Sequence, residues 1–197
     1  MNEVVTIELA RAGDLERITS LVNRAGETGT ANFATSPEPL EQWIDEWEKT
    51  SSTHPWLVAR SSGDVLGFAK ASAHRARGAY RWTAEVSIYI DEERRARGLG
   101  TALYGVLIPF LGAQGFVTLL AGITAGHTAS ERLHARAGFI RCGTFHRAGW
   151  KMGGWHDVGY WELQLGGGLE PAPVRGVAEV WEARGGGGLS LTAAPRR

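Results

Sequence analysis

The chain has 197 residues, 43% of them hydrophobic, which is enough apolar material for one well-packed domain and too little for two ordinary ones. Lys plus Arg and Asp plus Glu stand at 21 each, so no net field draws the chain to nucleic acid or an anionic membrane, and any anion site must be local. The single Cys142 excludes an intrachain disulfide, the start MNEVVTIELARAGD carries no signal-peptide core, and no apolar run nears the roughly 18 residues of a membrane helix, so a cytoplasmic protein is expected.

VVTIEL (4–9) is β-branched and alternating, which predicts a strand; Leu15, Ile18, Leu21, Val22 and Ala25 then recur at helical spacing behind Asp14, a residue suited to the N-cap. Ser36-Pro37-Glu38 is a second helix start, leading into Leu40, Trp43, Ile44 and Trp47 on one face. WLVAR (56–60) and VLGFAKASAH (65–74) flank Ser61-Ser62-Gly63-Asp64, a hairpin connection by its turn chemistry. After the polar loop RARGAYRW, the run TAEVSIYI (83–90) alternates up to Asp91, and these three runs are expected to be antiparallel neighbours.

RRARGLG (94–100) follows, and then TALYGVLIPFLGAQG, which sets Leu99, Leu103, Val106, Leu107 and Phe110 on one helical face; Pro109 is expected to kink this helix or end it early. FVTLLAGI (116–123) lacks alternation and reads as a central strand buried on both faces. Thr128-Ala129-Ser130-Glu131 has the pattern of a capping box opening a short helix, ERLHARA, that Gly138 closes. FIRCGTFHRAGWK and WHDVGYWELQL pair across Met152-Gly153-Gly154 as a hairpin, so the ordered domain, 1–165, is expected to end near Leu165. Eight glycines and three prolines fall in the 32 residues from 166 to 197. That segment reads as a flexible tail, with docking of its apolar island VAEVWEA as the alternative.

Three arginines followed by Gly98 and Gly100 look built to hold an anion. A Walker A loop is excluded, because Thr101 follows Gly100 with no lysine between them. A dinucleotide fingerprint fails too: Leu103 stands where a third glycine is needed, seven residues separate Ile90 from Gly98, and no acid follows FVTLLAGI at the expected place. What remains is a loop of backbone N–H groups at a helix N-terminus, whose glycines admit a diphosphate and whose dipole favours it. A solvated turn is the competing reading.

Arg95-x-x-Gly98-x-Gly100 after a strand resembles the [QR]-x-x-G-x-[GA] pyrophosphate loop of the GNAT superfamily of acyl-CoA-dependent N-acyltransferases. The element order β-α-α-β-β-β-α-β-α-β-β resembles it as well, and implies an α/β (α+β) fold: a mixed, mostly antiparallel sheet flanked by helices. Over residues 4 to about 165, TAEVSIYI, RGLGTALY, AQGF, SERLHARAGF and above all GWHDVGYW are similar to the phosphinothricin and methionine-sulfone N-acetyltransferase branch.

The resemblance implies acetyl-CoA as co-substrate, no metal, a small-molecule amine as acceptor and a homodimer. Amines with a pKa of about 8–10 are mostly protonated at neutral pH, so such an enzyme must remove a proton. Glu85, inside an alternating strand beside the loop, is the candidate base, directly or through a water; the resemblance adds His134 as a second ionisable group. It also implies that backbone groups of Ile88, Tyr89 and Ile90 hold the pantetheine arm, that the loop Arg95, Ala96, Arg97, Gly98, Leu99 and Gly100 binds the pyrophosphate, and that His127 stands where relatives carry Asn. For the acceptor it implies Asn32 and Phe33, Arg75 and Arg77, Val86 and Ser87, Tyr104, and a wall of Trp155, Val158 and Tyr160. Tyr104 could instead protonate the leaving thiolate. Read as structure alone, Glu85 is a polar residue on an exposed strand face, His134 a satisfied helical histidine, and Arg75 and Arg77 solvated loop residues. A different acceptor (a protein N-terminus, a polyamine, an aminoglycoside) and a non-catalytic acyl-CoA-binding module are the rival functions.

Overall fold

Alternation in the first apolar run buries Val5 and Ile7 and forms strand β1 (Val4–Leu9). There follow α1 (Leu15–Thr28), α2 (Leu40–Thr50), β2 (Trp56–Ser61), β3 (Asp64–Ala73), β4 (Thr83–Ile90), α3 (Leu99–Gln114), β5 (Thr118–Thr124), α4 (Thr128–Arg136), β6 (Ile140–Lys151), β7 (Gly154–Gln164), α5 (Val177–Ala183) and β8 (Leu189–Thr192). The computed structural model describes residues 4–95, 98–166 and 170–192. Through β7 the order is the expected one. The sheet runs β6-β7-β5-β4-β3-β2-β1-β8 and is antiparallel at every pair except β4–β5. Among the described residues, no helix is long and apolar enough to cross a membrane.

Each face of the sheet has its own core. On one, α3 packs Leu99, Leu103, Tyr104, Val106 and Leu107 against Ile7, Leu57, Ala69, Ala84, Val86 and Leu119. On the other, Leu15, Ile18, Leu21 and Val22 of α1 and Trp43 of α2 meet Trp56, Val58 and Phe68, with Tyr89 stacked on Phe68. Side chains alternate along a strand, so Ala84, Val86, Ile88 and Ile90 of β4 face α3, and Glu85, Ser87 and Tyr89 face the α1–α2 layer.

Several local expectations are corrected. Asp14 does not cap α1 with its side chain; its carboxylate accepts Arg11 N–H and Arg60 Nη2 instead. Helix α2 starts at Leu40, not at Ser36-Pro37, because Pro39 holds Glu38 out of the helical region and Asn23 takes both Glu38 backbone groups. Helix α3 continues through Pro109 to Gln114: Pro109 and Gly105, whose carbonyl the proline leaves without its helical donor, both lie on the exposed side, open to solvent. Helix α4 begins at Thr128 with His127 at the N-cap, and the hydroxyl of Thr128 makes no capping bond. Strand β5 is interior but buried on one face only: Leu119, Ala121 and Ile123 are buried, while Leu120 is half-buried and Gly122 exposed.

Past Leu165 the apolar island docks. Val177 and Val180 of α5 are buried against Phe110, Gln114 Nε2 donates to Arg175 O, and Trp82 Nε1 donates to Ala172 O. Strand β8 then pairs antiparallel with β1, covering an edge that would otherwise stand open. Two buried valines, each worth roughly 1.5–3 kcal/mol, and a strand ladder outweigh the glycine content that suggested a free tail.

Candidate active site

Strands β4 and β5 pair only where Thr83, Ala84 and Glu85 lie opposite Thr118, Leu119 and Leu120. Beyond that point β5 continues against β7, while Val86–Ile90 of β4 keep β3 as their partner and have no strand on the other side among the described residues. The sheet therefore splits at Glu85. An unpaired strand edge of this kind accepts an extended ligand through main-chain hydrogen bonds. Asp91 N–H donates to Leu66 O, a register that gives the main-chain groups of Tyr89 to Phe68 of β3 and leaves those of Ile88 and Ile90 on the open edge, while all three side chains are committed to the two cores.

The N-terminus of α3 opens onto the same split. Gly98 occupies the N-cap with φ +78, a left-handed conformation that costs a side-chain-bearing residue about 1–2 kcal/mol. Gly100 serves close packing: a Cβ there would lie 2.9 Å from Leu133 Cδ2 of α4 and 3.7 Å from Ile88 Cδ1 of β4. The approach to the loop is anchored to α1, with Arg17 ion-paired to Asp91 and Glu92 accepting from Arg95 at 3.2 Å and holding Arg24 at 3.6 Å. Ala96 and Arg97 lie outside the described residues.

On the α1–α2 side, Glu85 Oε1 is 2.5 Å from His74 Nδ1, and the Glu85 side chain is 43% exposed. The imidazole of His74 meets Tyr80 edge-on at 5.5 Å, and the Arg75 guanidinium lies 5.5 Å from the centroid of the same ring. Arg77 is exposed on this loop and its carbonyl accepts Tyr80 N–H. Ser87, Val158 and Tyr160 share the face, for β5 pairs Thr124 with Val158 and Gly122 with Tyr160. Val86 does not join them: it is buried in the α3 core, so only its main chain reaches the site.

The loop between α1 and α2 closes over this face. Asn32 donates to Val22 O and accepts Ala34 N–H, which makes it a brace for the loop. Buried Lys151 donates to Gly26 O and Asn32 O, tying the β6–β7 hairpin to the loop, and Phe33 lies against Gly149 and 6.2 Å from His156. Trp155 stands on the other face of the hairpin from His156 and Val158, 51% exposed and edge-on to Trp150, so it does not complete the wall with Phe33. Sequence reasoning missed His74, Tyr80, Lys151 and His156. For His74 a signal existed: pairing VLGFAKASAH with TAEVSIYI sets it diagonally across from Glu85.

On the α3 side lies a buried polar pair. Buried Tyr104 donates its O–H to His134 Nε2 at 2.8 Å, and His134 Nδ1 donates to Ser130 O at 2.8 Å. Burial pushes the imidazole of His134 below its ordinary range and the phenol of Tyr104 far above its own, so both are neutral at pH 7. Glu85 and His134 thus stand on opposite faces of the sheet. His127, at the end of β5, has Nδ1 buried with no partner among the described residues. A buried nitrogen left so costs about 1–3 kcal/mol until a ligand satisfies it.

An unpaired β4 edge, a left-handed glycine at a helix N-terminus and an orphaned nitrogen on the same cleft fit the pantetheine and pyrophosphate of coenzyme A. The acetyltransferase (GNAT) domain model matches residues 7–159. The phosphinothricin N-acetyltransferase of Streptomyces viridochromogenes is 40% identical over 89% of this chain and 96% of its own length. The L-methionine sulfoximine/L-methionine sulfone acetyltransferase of Pseudomonas aeruginosa is 34% identical over 81% of this chain and 94% of its own. The crystal structure of a phosphinothricin acetyltransferase from Sinorhizobium meliloti in complex with acetyl-CoA superposes with a TM-score of 0.80 at 34% identity, covering 87% of this chain and 94% of that one. With fold, cleft and kinship in agreement, this chain belongs to the GNAT acetyltransferases and is an acetyl-CoA-dependent N-acetyltransferase of the phosphinothricin and methionine sulfoximine type.

Proposed function

We propose that the enzyme acetylates the α-amine of a small amino-acid analogue bearing a phosphinate, sulfone or sulfoximine group, with Glu85 as general base. The single observation that carries this reading is the position of Glu85: half-exposed, at the residue where β4 and β5 part, on the face that the α1–α2 loop covers. The bound thioester supplies an electrophilic acetyl carbonyl at the split. Glu85 takes the amine proton, directly or through a water, so that the nitrogen lone pair forms the new N–C bond as the C–S bond breaks. A β4 backbone N–H, fixed by the β3 ladder, polarises the carbonyl oxygen. The thiol has an ordinary pKa near 8.5, far below that of buried Tyr104, so the sulfur leaves as a thiolate without a proton from that phenol. We assign Tyr104 and His134 a neutral, mutually oriented wall on the coenzyme side.

For the acceptor, Arg77 and Arg75 supply cationic donors for carboxylate and phosphinate or sulfone oxygens, and Phe33, Val158 and Tyr160 flank the short side chain. The balanced overall charge and the intracellular co-substrate fit a cytoplasmic enzyme with no nucleic-acid partner. Exposed Ile140, Phe145, Trp150, Met152 and Trp155 on the β6–β7 hairpin fit a homodimer, which sedimentation would detect. The function is tested by thiol release from acetyl-CoA with a panel of amines. Turnover of phosphinothricin or L-methionine sulfone, and not of spermidine, an aminoglycoside or a peptide, is expected; turnover of one of the latter alone would overturn the acceptor assignment.

A further inference from the structure

We propose that His74 is a positioning residue for Glu85, turning one carboxylate oxygen toward the acceptor amine; this rests on the reading of Glu85 as base. The two side chains come from adjacent antiparallel strands. Ala73 pairs with Ala84, so His74 falls just past the end of β3, diagonal to Glu85 on the same face. With Glu85 ionised, Nδ1 of the imidazole is the donor across the 2.5 Å contact to Oε1.

The burial of the pair is asymmetric. His74 is walled in, with its side chain 15% exposed, whereas Glu85 is open at 43%. The edge-on contact with Tyr80, itself capped by Arg75, keeps the imidazole from swinging away. One oxygen of Glu85 is therefore held from behind and Oε2, with no partner among the described residues, is left facing the open side. That is the division of labour a base needs, since a carboxylate free to rotate would share its time among unproductive rotamers.

Other charges do not offer Glu85 the same contact. Lys70 of β3 is ion-paired to Glu46 of α2 and lies over Trp43 and Trp56. On β7, Tyr160 and Glu162 share the face but stand a strand away, with Leu120 between Glu85 and Glu162. In the 74–82 loop, Arg75 rests on Tyr80, and Arg77 is exposed. His74 is the bonded partner of Glu85 among the described residues.

The test uses the whole chain with acetyl-CoA and L-methionine sulfone. His74→Phe keeps a flat ring under Tyr80 and removes the donor; kcat should fall about tenfold, because the carboxylate is left free to rotate away from the amine. KM for acetyl-CoA should not change. His74→Asn, which restores a donor near the Nδ1 position, should recover most of the loss. In histidine-labelled protein, nitrogen NMR should report His74 as Nδ1-protonated, with a resonance that moves in Glu85→Gln. A His74→Phe kcat equal to the native one, a loss that Asn does not rescue, or a His74 resonance indifferent to Glu85→Gln would each overturn the assignment. A native chain that turns over none of the amines overturns instead the reading of Glu85 on which it rests.

Discussion

The two faces of strand β4 are built from one stretch of eight residues and do opposite work. Toward α3 it presents Ala84, Val86, Ile88 and Ile90 to a dry core in which the polar pair nearest the cleft, Tyr104 and His134, is neutral and mutually satisfied. Toward the α1–α2 loop it presents Glu85 and Ser87 to a face that carries His74, Tyr80, Tyr160 and two arginines. In the proposed mechanism the alternation of the strand is also a partition of chemistry, with the proton taken on one side and the coenzyme's apolar and phosphate contacts made on the other. The split between β4 and β5 is where the sides meet.

The most direct way to break that partition is to neutralise its charged side. Glu85→Gln should leave acetyl-CoA affinity intact and lower turnover roughly 10²- to 10⁴-fold at neutral pH, with partial recovery at high pH where the amine deprotonates unaided. Near-normal turnover, measured by thiol release, would move the base elsewhere. Next in size is Arg77→Ala, which should raise KM for phosphinothricin or methionine sulfone at least tenfold, about 1.4 kcal/mol, with KM for acetyl-CoA unchanged.

Variants at the loop sharpen the comparison from the coenzyme side. Gly98→Ala introduces a side chain at φ +78 with no atom within 4 Å of its Cβ, so it should raise KM for acetyl-CoA several-fold with little change for the amine. Gly100→Val differs: its Cβ meets Leu133, so a lower Tm should accompany the raised KM. Tm measured alongside both kinetic constants separates the two cases.

The smallest effect concerns the neutral pair. Burial holds folded His134 below the ordinary 6.5. As pH falls through that value the unfolded chain takes up a proton that the folded chain refuses, so stability is present above about 6.5 and is lost toward acid. His54, shifted the same way by burial, adds a slope of the same sign. His134→Gln should flatten the fall in Tm between pH 7 and pH 5 relative to the native chain; an unchanged slope would mean that His134 takes its proton in the fold.

Much of this was legible in the sequence, because it rests on local signals: alternation in VVTIEL and TAEVSIYI, helical spacing in α1 and α3, and the glycine-spaced loop after Ile90. What escaped depends on contacts distant in the chain. FVTLLAGI looked buried on both faces because Leu120 and Gly122, on the face of Glu85, are as apolar as core residues. Asn32 and Trp155 carry side chains suited to ligands, yet one is spent on Val22 and Ala34 and the other stands on the far face of its hairpin. The docking of VAEVWEA turned on two valines finding Phe110 on α3, a pairing that glycine content does not reveal.

The central claim is that acceptor and coenzyme approach the split from opposite faces. A crystal structure of the chain with coenzyme A and L-methionine sulfone tests it most directly. The account predicts the amine nitrogen within hydrogen-bond reach of Glu85, or one water from it, on the α1–α2 side, with sulfone or carboxylate oxygens at Arg77. An amine bound on the α3 side against Tyr104 and His134, with Glu85 turned to solvent, would contradict it.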